Sequence, residues 1–293
     1  ENNVDVSSIQ SMNDFQKLPF INKDNYIKKY PVSEICRGGD IANLDFISVS
    51  SGSTGVPTFW MRDAEDEIRI SERFEQILSE CFIPMADSNL CVICFPLGTW
   101  VGGMFTTNCV RHLSLKGYKL TLVTPGNNKE EILRVINEFA ENFERVILFG
   151  YPPFLKDVVD TGILRGIDWK RYDNKLVMAG ESFSEEWRSL MSDRLGIKDE
   201  LTSFSSMYGT ADAGVLANET PLSIKIRKFF SKRPELTKEV FGQSRLSSLC
   251  QYDQFSRFFE QQENTLLFTG DNGIPLIRYH INDDGGIYSF DEL

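Results

Sequence analysis

The chain has 293 residues, enough to bury a substantial core as one large domain or two smaller ones. Apolar residues make up 41% and charged residues 25%, the balance of a soluble globular protein, and no apolar run approaches the roughly 18 residues of a membrane span. The formal net charge of -11 sets the chain against phosphate backbones and so against a nucleic-acid surface.

No charged-then-apolar leader opens the chain, so no signal peptide is expected, and residues 1–45 read as helix fragments and loops. "DFISVSS" (45–51) predicts a strand running into a Gly/Ser loop, and "DAEDEIRISERFEQILSECF" (63–82) predicts a helix. Its Phe74, Ile77, Leu78 and Cys81 recur at helical spacing as one buried stripe. "LCVICF" (90–95) predicts a strand, followed by the glycine turn "GTWVGG" (98–103) and a helix that ends at Gly117. Cys91 and Cys94 spell CxxC, but no second Cys/His pair waits at metal-ligand spacing, so core packing is the reading preferred. The six cysteines sit mostly in apolar surroundings, as reduced thiols do, and a cytoplasmic location is expected.

"YKLTLVTP" (118–125) predicts the next strand, and "KEEILRVINEFAENF" (129–143) a helix burying Ile132, Val135, Ile136, Phe139 and Phe143. "RVILFG" (145–150) is a strand that meets "YPPFLKDVV", where two prolines suit a first helical turn. After the strand "KLVMAG" (175–180) comes a helix over 184–196, with Ser184 as N-cap and Gly196 at its end. "ELTSFSSMYG" (200–209) predicts a further strand. The stretch 222–247 reads as a mostly helical linker, its basic cluster "KIRKFFSKR" (225–233) a solvated helix face, and 248–293 as a β-rich subdomain. The fold class expected is α/β: parallel sheets flanked by helices over 1–221, with the small β-rich subdomain at the C-terminal end. In such folds ligands gather at the carboxyl ends of strands, where the Gly- and Ser-rich turns at 50–55, 98–103, 150–153, 180–184 and 208–214 fall.

Ser50, Ser51, Gly52, Ser53, Thr54 and Gly55 combine backbone N–H groups with hydroxyl donors, a combination suited to phosphate. The lysine of GxxxxGK[ST] is missing, which excludes a P-loop nucleotidase. Taken alone, the run reads equally well as a surface turn.

It is accompanied by further stretches in order. "SSGSTGVP" resembles the phosphate loop of the adenylate-forming, or acyl-CoA synthetase, superfamily. "VMAGESFSEEWR" (177–188), "SSMYGTADAGVLANE" (205–219) and "LLFTGDNGIPLIRYHINDDGG" (266–286) resemble later segments of its phenylacetate–CoA ligase branch. The resemblance implies ATP-dependent activation of a carboxylic acid to an acyl-adenylate, then transfer to coenzyme A. It implies that residues 50–55 grip phosphates, that Gly180, Glu181, Ser182, Tyr208 and Gly209 frame adenine, and that Asp283 binds ribose. Asp212 stands at the position of the family's Mg²⁺-binding glutamate, one methylene shorter and after Ala211 in place of Ser/Thr. Asp271, in "FTGD", also matches a superfamily-like signature, but the alignment around "PLIRY" favours Asp283.

Trp100, Gly102, Gly103, Tyr151 and Met207, with Val101, Phe149 and Ala179, are candidates for an acyl pocket, each also suited to core packing. Arg278 could meet a ligand anion or a structural carboxylate. His112 reads as structural and His280 as a neighbour of the ribose position. The family's catalytic lysine belongs to a C-terminal lid, and the chain stops ten residues after Asp283, so no catalytic residue is assigned here and weak turnover is expected. Acyl transfer to a carrier protein or protein thiol, and a non-catalytic nucleotide- or acyl-binding module, stay open as alternatives.

Overall fold

Apolar runs whose alternate residues pack on opposite faces build the main sheet of this chain. The computed structural model describes residues 4–50, 57–81, 83–246 and 248–293, with the backbone alone at Glu80 and Cys81. Contacts group Glu1–Leu44 with Asp253–Leu293 in one compact unit, and Asp45–Tyr252 in another. This grouping differs from the segments 1–221, 222–247 and 248–293 read from the sequence.

In the smaller unit the short helices α1 (Met12–Phe15) and α2 (Val32–Ile35) belong to segments tied to the C-terminal strands. Ile21 bridges Tyr279, and the Arg37 N–H donates to the Gly273 carbonyl. Those backbone bonds bring Ile21 and Arg37 to the C-terminal strands, which no local pattern encodes.

The larger unit begins with β1 (Phe46–Ser50) and β2 (Thr58–Arg62), an antiparallel hairpin with Ser50 opposite Thr58. The run at 45–51, whose pattern suggests the lead strand of the strand–helix alternation, does not join the main sheet. The apolar "TFWMR" follows too soon for a parallel crossover, which takes a dozen or more residues, so the two strands fold back on each other.

The alternation then proceeds through α3 (Ala64–Cys81), β3 (Asn89–Ile93), α4 (Val101–Leu115), β4 (Leu120–Val123) and α5 (Lys129–Phe139). It continues with β5 (Arg145–Gly150), α6 (Pro152–Leu164), β6 (Asp173–Met178), α7 (Glu185–Leu195), β7 (Phe204–Thr210) and β8 (Gly214–Asn218). Helices α8 (Pro221–Ser231) and α9 (Pro234–Phe241) follow, giving the 222–247 stretch its helical character. Among the described residues the sheet has six strands in the order β4-β3-β5-β6-β7-β8, parallel through β7, with β8 antiparallel. In the smaller unit β9 (Phe258–Gln262), β10 (Thr265–Gly270) and β11 (Leu276–Asp284) form an antiparallel sheet.

Strand residues alternate between two cores. Cys91, Ile93, Ile147, Phe149 and Val177 face Phe74, Ile77 and Leu78 of α3 and Phe105 and Val110 of α4. Leu90, Val92, Cys94, Leu148 and Met178 face Ile132 and Ile136 of α5, Leu155 and Val159 of α6, and Met191 of α7. Each such side chain contributes roughly 1.5–3 kcal/mol by leaving water. Cys91 and Cys94 therefore point to opposite sides of the sheet and cannot share a metal or a disulfide. Both are free, buried thiols, with burial pushing Cys91 up to about 12 and Cys94 higher still. Phe139, expected on the buried stripe of α5, is 48% exposed, because the helix ends there and a tighter turn re-aims the chain. No helix among the described residues is long and apolar enough to cross a membrane.

Candidate functional site

The strand order fixes where a site can form in the larger unit. β3 lies between β4 and β5, so the chain leaves β3 in one direction and returns across it, which opens a crevice beyond the carboxyl ends of β3 and β5. The loop leading into α4 and Tyr151 lie there. Gly103, in the first turn of α4, packs so tightly that a Cβ would sit 2.3 Å from the Pro96 carbonyl oxygen. Gly102 lies against Phe95, and Trp100, whose backbone caps α4, is 46% exposed.

The hairpin docks on the same loop: the Val49 N–H donates to the Thr99 carbonyl at 2.8 Å, and Val49 bridges Trp100. Ser50, the last residue of β1, accepts a hydrogen bond from the Trp60 indole at 3.2 Å. Ser51, Gly52, Ser53, Thr54 and Gly55 lie outside the described residues.

The register aligns the remaining loops. Gly150 pairs with Met178 and Met178 with Ser206, so Tyr151, Ala179 and Met207 follow at one level and Gly180 and Tyr208 at the next. Gly180 has φ +96°, a conformation glycine adopts without strain, and a Cβ there would come 3.4 Å from the Tyr151 ring. The Tyr151 hydroxyl donates to Glu181 Oε1 at 2.9 Å, and this bond holds the phenol above its ordinary pKa. Met207 is not open to a ligand in this arrangement: it is buried in the core with Phe105, Phe149 and Val215.

Below this level lies a buried ionic network that no sequence motif announces. Glu219 Oε1 accepts from Arg188 Nη2 at 2.7 Å and from Arg227 Nη1 at 3.0 Å, while Oε2 accepts from the Ser206 N–H at 3.0 Å. Glu185 binds Arg188 Nε at 2.9 Å and lies 3.2 Å from Arg227 Nη1. Burial works against the charge of Arg188, but Glu219 and Glu185 outweigh it and hold its pKa above the usual arginine value. The sequence pattern puts Arg227 on a solvated basic face; in the structure it is 2% exposed and points inward. Partners 31 and 8 residues from Glu219 fall on no common period, so only the Thr220–Ser223 capping box and Pro221, which mark where α8 starts, were there to be read.

Asp212 follows β7 and is 5% exposed. Its charge bears on Arg62, whose guanidinium is buried, stacks 4.8 Å over the Phe105 ring and donates to the Ala211 carbonyl at 2.6 Å. Burial lowers the pKa of Arg62, against the opposing pull of Asp66, Asp212 and Asp63. No group of three His, Cys, Asp or Glu among the described residues is arranged to hold a metal. Asp212 stands as a single buried carboxylate whose charge reaches Arg62, and Mg²⁺ that arrives on ATP phosphates characteristically takes only one or two carboxylates.

In the smaller unit, Asp283 lies where the β10–β11 register shifts between the Thr265–Asp284 and Leu267–His280 pairs, next to Asn282 at φ +66°. Asp271 is ion-paired to Arg37 at 2.7 Å. Arg278 resolves as a structural residue, paired with buried Glu260 at 3.0 Å and donating to the Leu18 carbonyl. His280 Nε2 is 2.8 Å from Thr265 Oγ1, with its ring 5.4 Å from that of Phe20. His112 lies 3.4 Å from Glu67, on the α3–α4 side of the larger unit.

Neither a family model nor a curated protein matches the sequence. Solved structures do match. An open conformation of 2-hydroxyisobutyryl-CoA ligase, in complex with 2-HIB-AMP and CoA, superposes with a TM-score of 0.69 over 95% of this chain and 61% of that one, at 12% identity. The same ligase in its thioesterification state gives 0.67 over 94% and 55%, also at 12% identity. A long-chain-fatty-acid-CoA ligase from Archaeoglobus fulgidus gives 0.50 over 80% and 43%, at 11% identity. This chain has the acyl-CoA ligase fold. It spans about three fifths or less of the length of those ligases. Within the acyl-CoA ligase fold, the large unit of this chain brings Tyr151, Gly180, Glu181 and Tyr208 to neighbouring strand ends, and it takes Met207 and Asp212 into the interior.

Proposed function

We propose that this chain binds ATP and a carboxylic acid at the carboxyl ends of its main sheet and supports formation of an acyl-adenylate. In that step a carboxylate oxygen attacks the α-phosphorus and pyrophosphate leaves; the thiol of coenzyme A then attacks the acyl carbonyl and AMP leaves. The observation that carries the reading is the register. It brings Gly180, Glu181 and Ser182, just past the end of β6, level with Tyr208 and Gly209 in the last part of β7, in the order in which those motifs resemble the adenylate-forming family.

The likeness in fold to ligases solved with an acyl-AMP and CoA supports the same reading. On it, Gly180 lets the chain pass flat against the adenine, and Tyr151 fixes Glu181 through its hydrogen bond. Ser50, at the end of β1, receives the phosphates together with the Gly/Ser motif that follows it in sequence. The motif pattern favours the phenylacetate ligase-like branch, hence an apolar or aromatic acid, with exposed Trp100 its first contact.

Calorimetric titration with ATP, followed by pyrophosphate release across a panel of aryl-acetic, hydroxy and long-chain acids, tests the proposal. Saturable ATP binding with release dependent on an aromatic acid is expected. Binding without acid-dependent release would favour a non-catalytic nucleotide module, and no binding of ATP would overturn the reading.

A further inference from the structure

The segment that frames the proposed adenine site has few backbone ties of its own. Between β6 and α7, the Ala179 N–H donates to the Gly150 carbonyl at 3.3 Å, and Ser184 caps α7 by accepting from the Trp187 N–H at 3.2 Å. Between those points the chain turns through Gly180. What holds it from below is a side chain 44 residues further on: Arg227 of α8 donates through Nη2 to the Phe183 carbonyl. The same guanidinium donates through Nη1 to Glu219, and the other oxygen of Glu219 accepts from the Ser206 N–H in β7. The guanidinium groups of Arg188 and Arg227 lie 5.0 and 5.1 Å from the centre of the Phe183 ring, which also packs on Trp187 at 4.8 Å.

We infer that Arg227 and Glu219 are positioning residues for the nucleotide, setting the 180–184 loop and the 207–209 strand end at a fixed separation. The inference rests on the adenine reading above. One carboxylate holds both segments: directly at Ser206, and through Arg227 at Phe183. Both residues act through the backbone they hold, at Phe183 and Ser206, and not by touching the nucleotide. A guanidinium suits the task because its planar fork serves two acceptors at once, which a lysine ammonium on a single Nζ does not reproduce. The assignment also gives α8 a function: it carries Arg227 into the network.

The test compares the wild-type chain with Arg227→Met, Arg227→Lys and the charge-balanced pair Arg227→Met/Glu219→Gln. Two measurements are made under conditions where each is folded: hydrogen exchange of amides 180–187, and ATP affinity by titration. Both Arg227→Met and Arg227→Lys should speed exchange in this window while leaving β3 and β5 unchanged. Both should weaken ATP by roughly tenfold, the loss expected for a charge-assisted hydrogen bond. If Arg227→Met does not fold, the double variant takes its place, because the neutral amide introduced by Glu219→Gln can still accept from the Ser206 N–H. Unchanged exchange at 180–187, or full ATP affinity in the folded variant, would overturn the inference, as would acceleration spread evenly over the sheet. Absence of ATP binding by the wild-type chain instead counts against the nucleotide reading, and local exchange then still decides whether Arg227 sets the loop.

Discussion

Gly103 shows how closely α4 approaches the end of β3. The nearest atom to a Cβ at this position is backbone, the Pro96 carbonyl oxygen, which cannot rotate aside as a side chain would. Gly103→Ala should therefore cost about 1–3 kcal/mol in urea denaturation, an overpacking effect, and displace the loop that carries Trp100. Asp212 makes a second residue-level case. If its main role is to balance buried Arg62, Asp212→Asn should lower stability by about 1–3 kcal/mol, the cost of an under-compensated buried charge. ATP affinity at saturating Mg²⁺ should stay within about twofold of wild type, since no metal ligand is lost. A large, Mg²⁺-dependent drop in affinity with unchanged stability would instead support the metal-binding role that the motif implies. Residue identity alone could not separate these roles, because the buried guanidinium that the charge of Asp212 reaches lies in β2, far away in sequence.

At the scale of elements, local chemistry was readable where it was local. Helix α7 starts at Ser184, whose hydroxyl accepts from the Trp187 N–H, and ends at Gly196 with φ +71°, both as the sequence indicated. Ser184→Ala should lower the denaturation midpoint by an amount equivalent to about 1 kcal/mol, with a small further loss of ATP affinity because the cap closes the 180–184 loop. The strands β3, β5 and β6 were equally legible, since buried parallel strands read as short, continuous apolar runs. The β1–β2 hairpin was not. Its first strand looks like the start of a strand–helix unit, and only the pairing of Ser50 with Thr58 shows that the chain turns back. β8 occupies "GVLAN", inside the stretch 205–219 whose resemblance to a family segment gives no sign of a separate strand.

For the whole molecule, buried thiols make stability depend on pH. Desolvation raises the pKa of Cys91, Cys94, Cys109 and Cys250 above the ordinary thiol value. An acid with a raised folded-state pKa contributes stability that is fully present below the unfolded thiol pKa and is lost as pH rises toward the folded value. For Cys91 that window runs from about 9 to about 12. The urea midpoint should thus fall steadily above pH 9, and Cys91→Ala should flatten the fall by up to about 1.4 kcal/mol per pH unit. In the native state at pH 8 Cys91, Cys94 and Cys109 should resist maleimide and become reactive on unfolding; rapid labelling of Cys91 without unfolding would show that the core is less closed than described.

The sequence by itself determined the α/β class, the order of strands and helices from residue 89 to 210, the caps of α7 and the places where Gly- and Ser-rich turns fall. Hydrophobic period, capping residues and glycine turns act over a few residues, so they can be read without the fold. The tertiary structure alone decided which loops share a level above the sheet, that the segments around Ile21 and Arg37 join the C-terminal strands, and that Cys91 and Cys94 part to opposite cores. It also decided that Arg62, Glu219 and Arg227 are buried partners and not surface charges. These depend on strand register and on pairings across tens to hundreds of residues. A charged side chain looks the same in sequence whether it meets water or a buried partner of opposite sign.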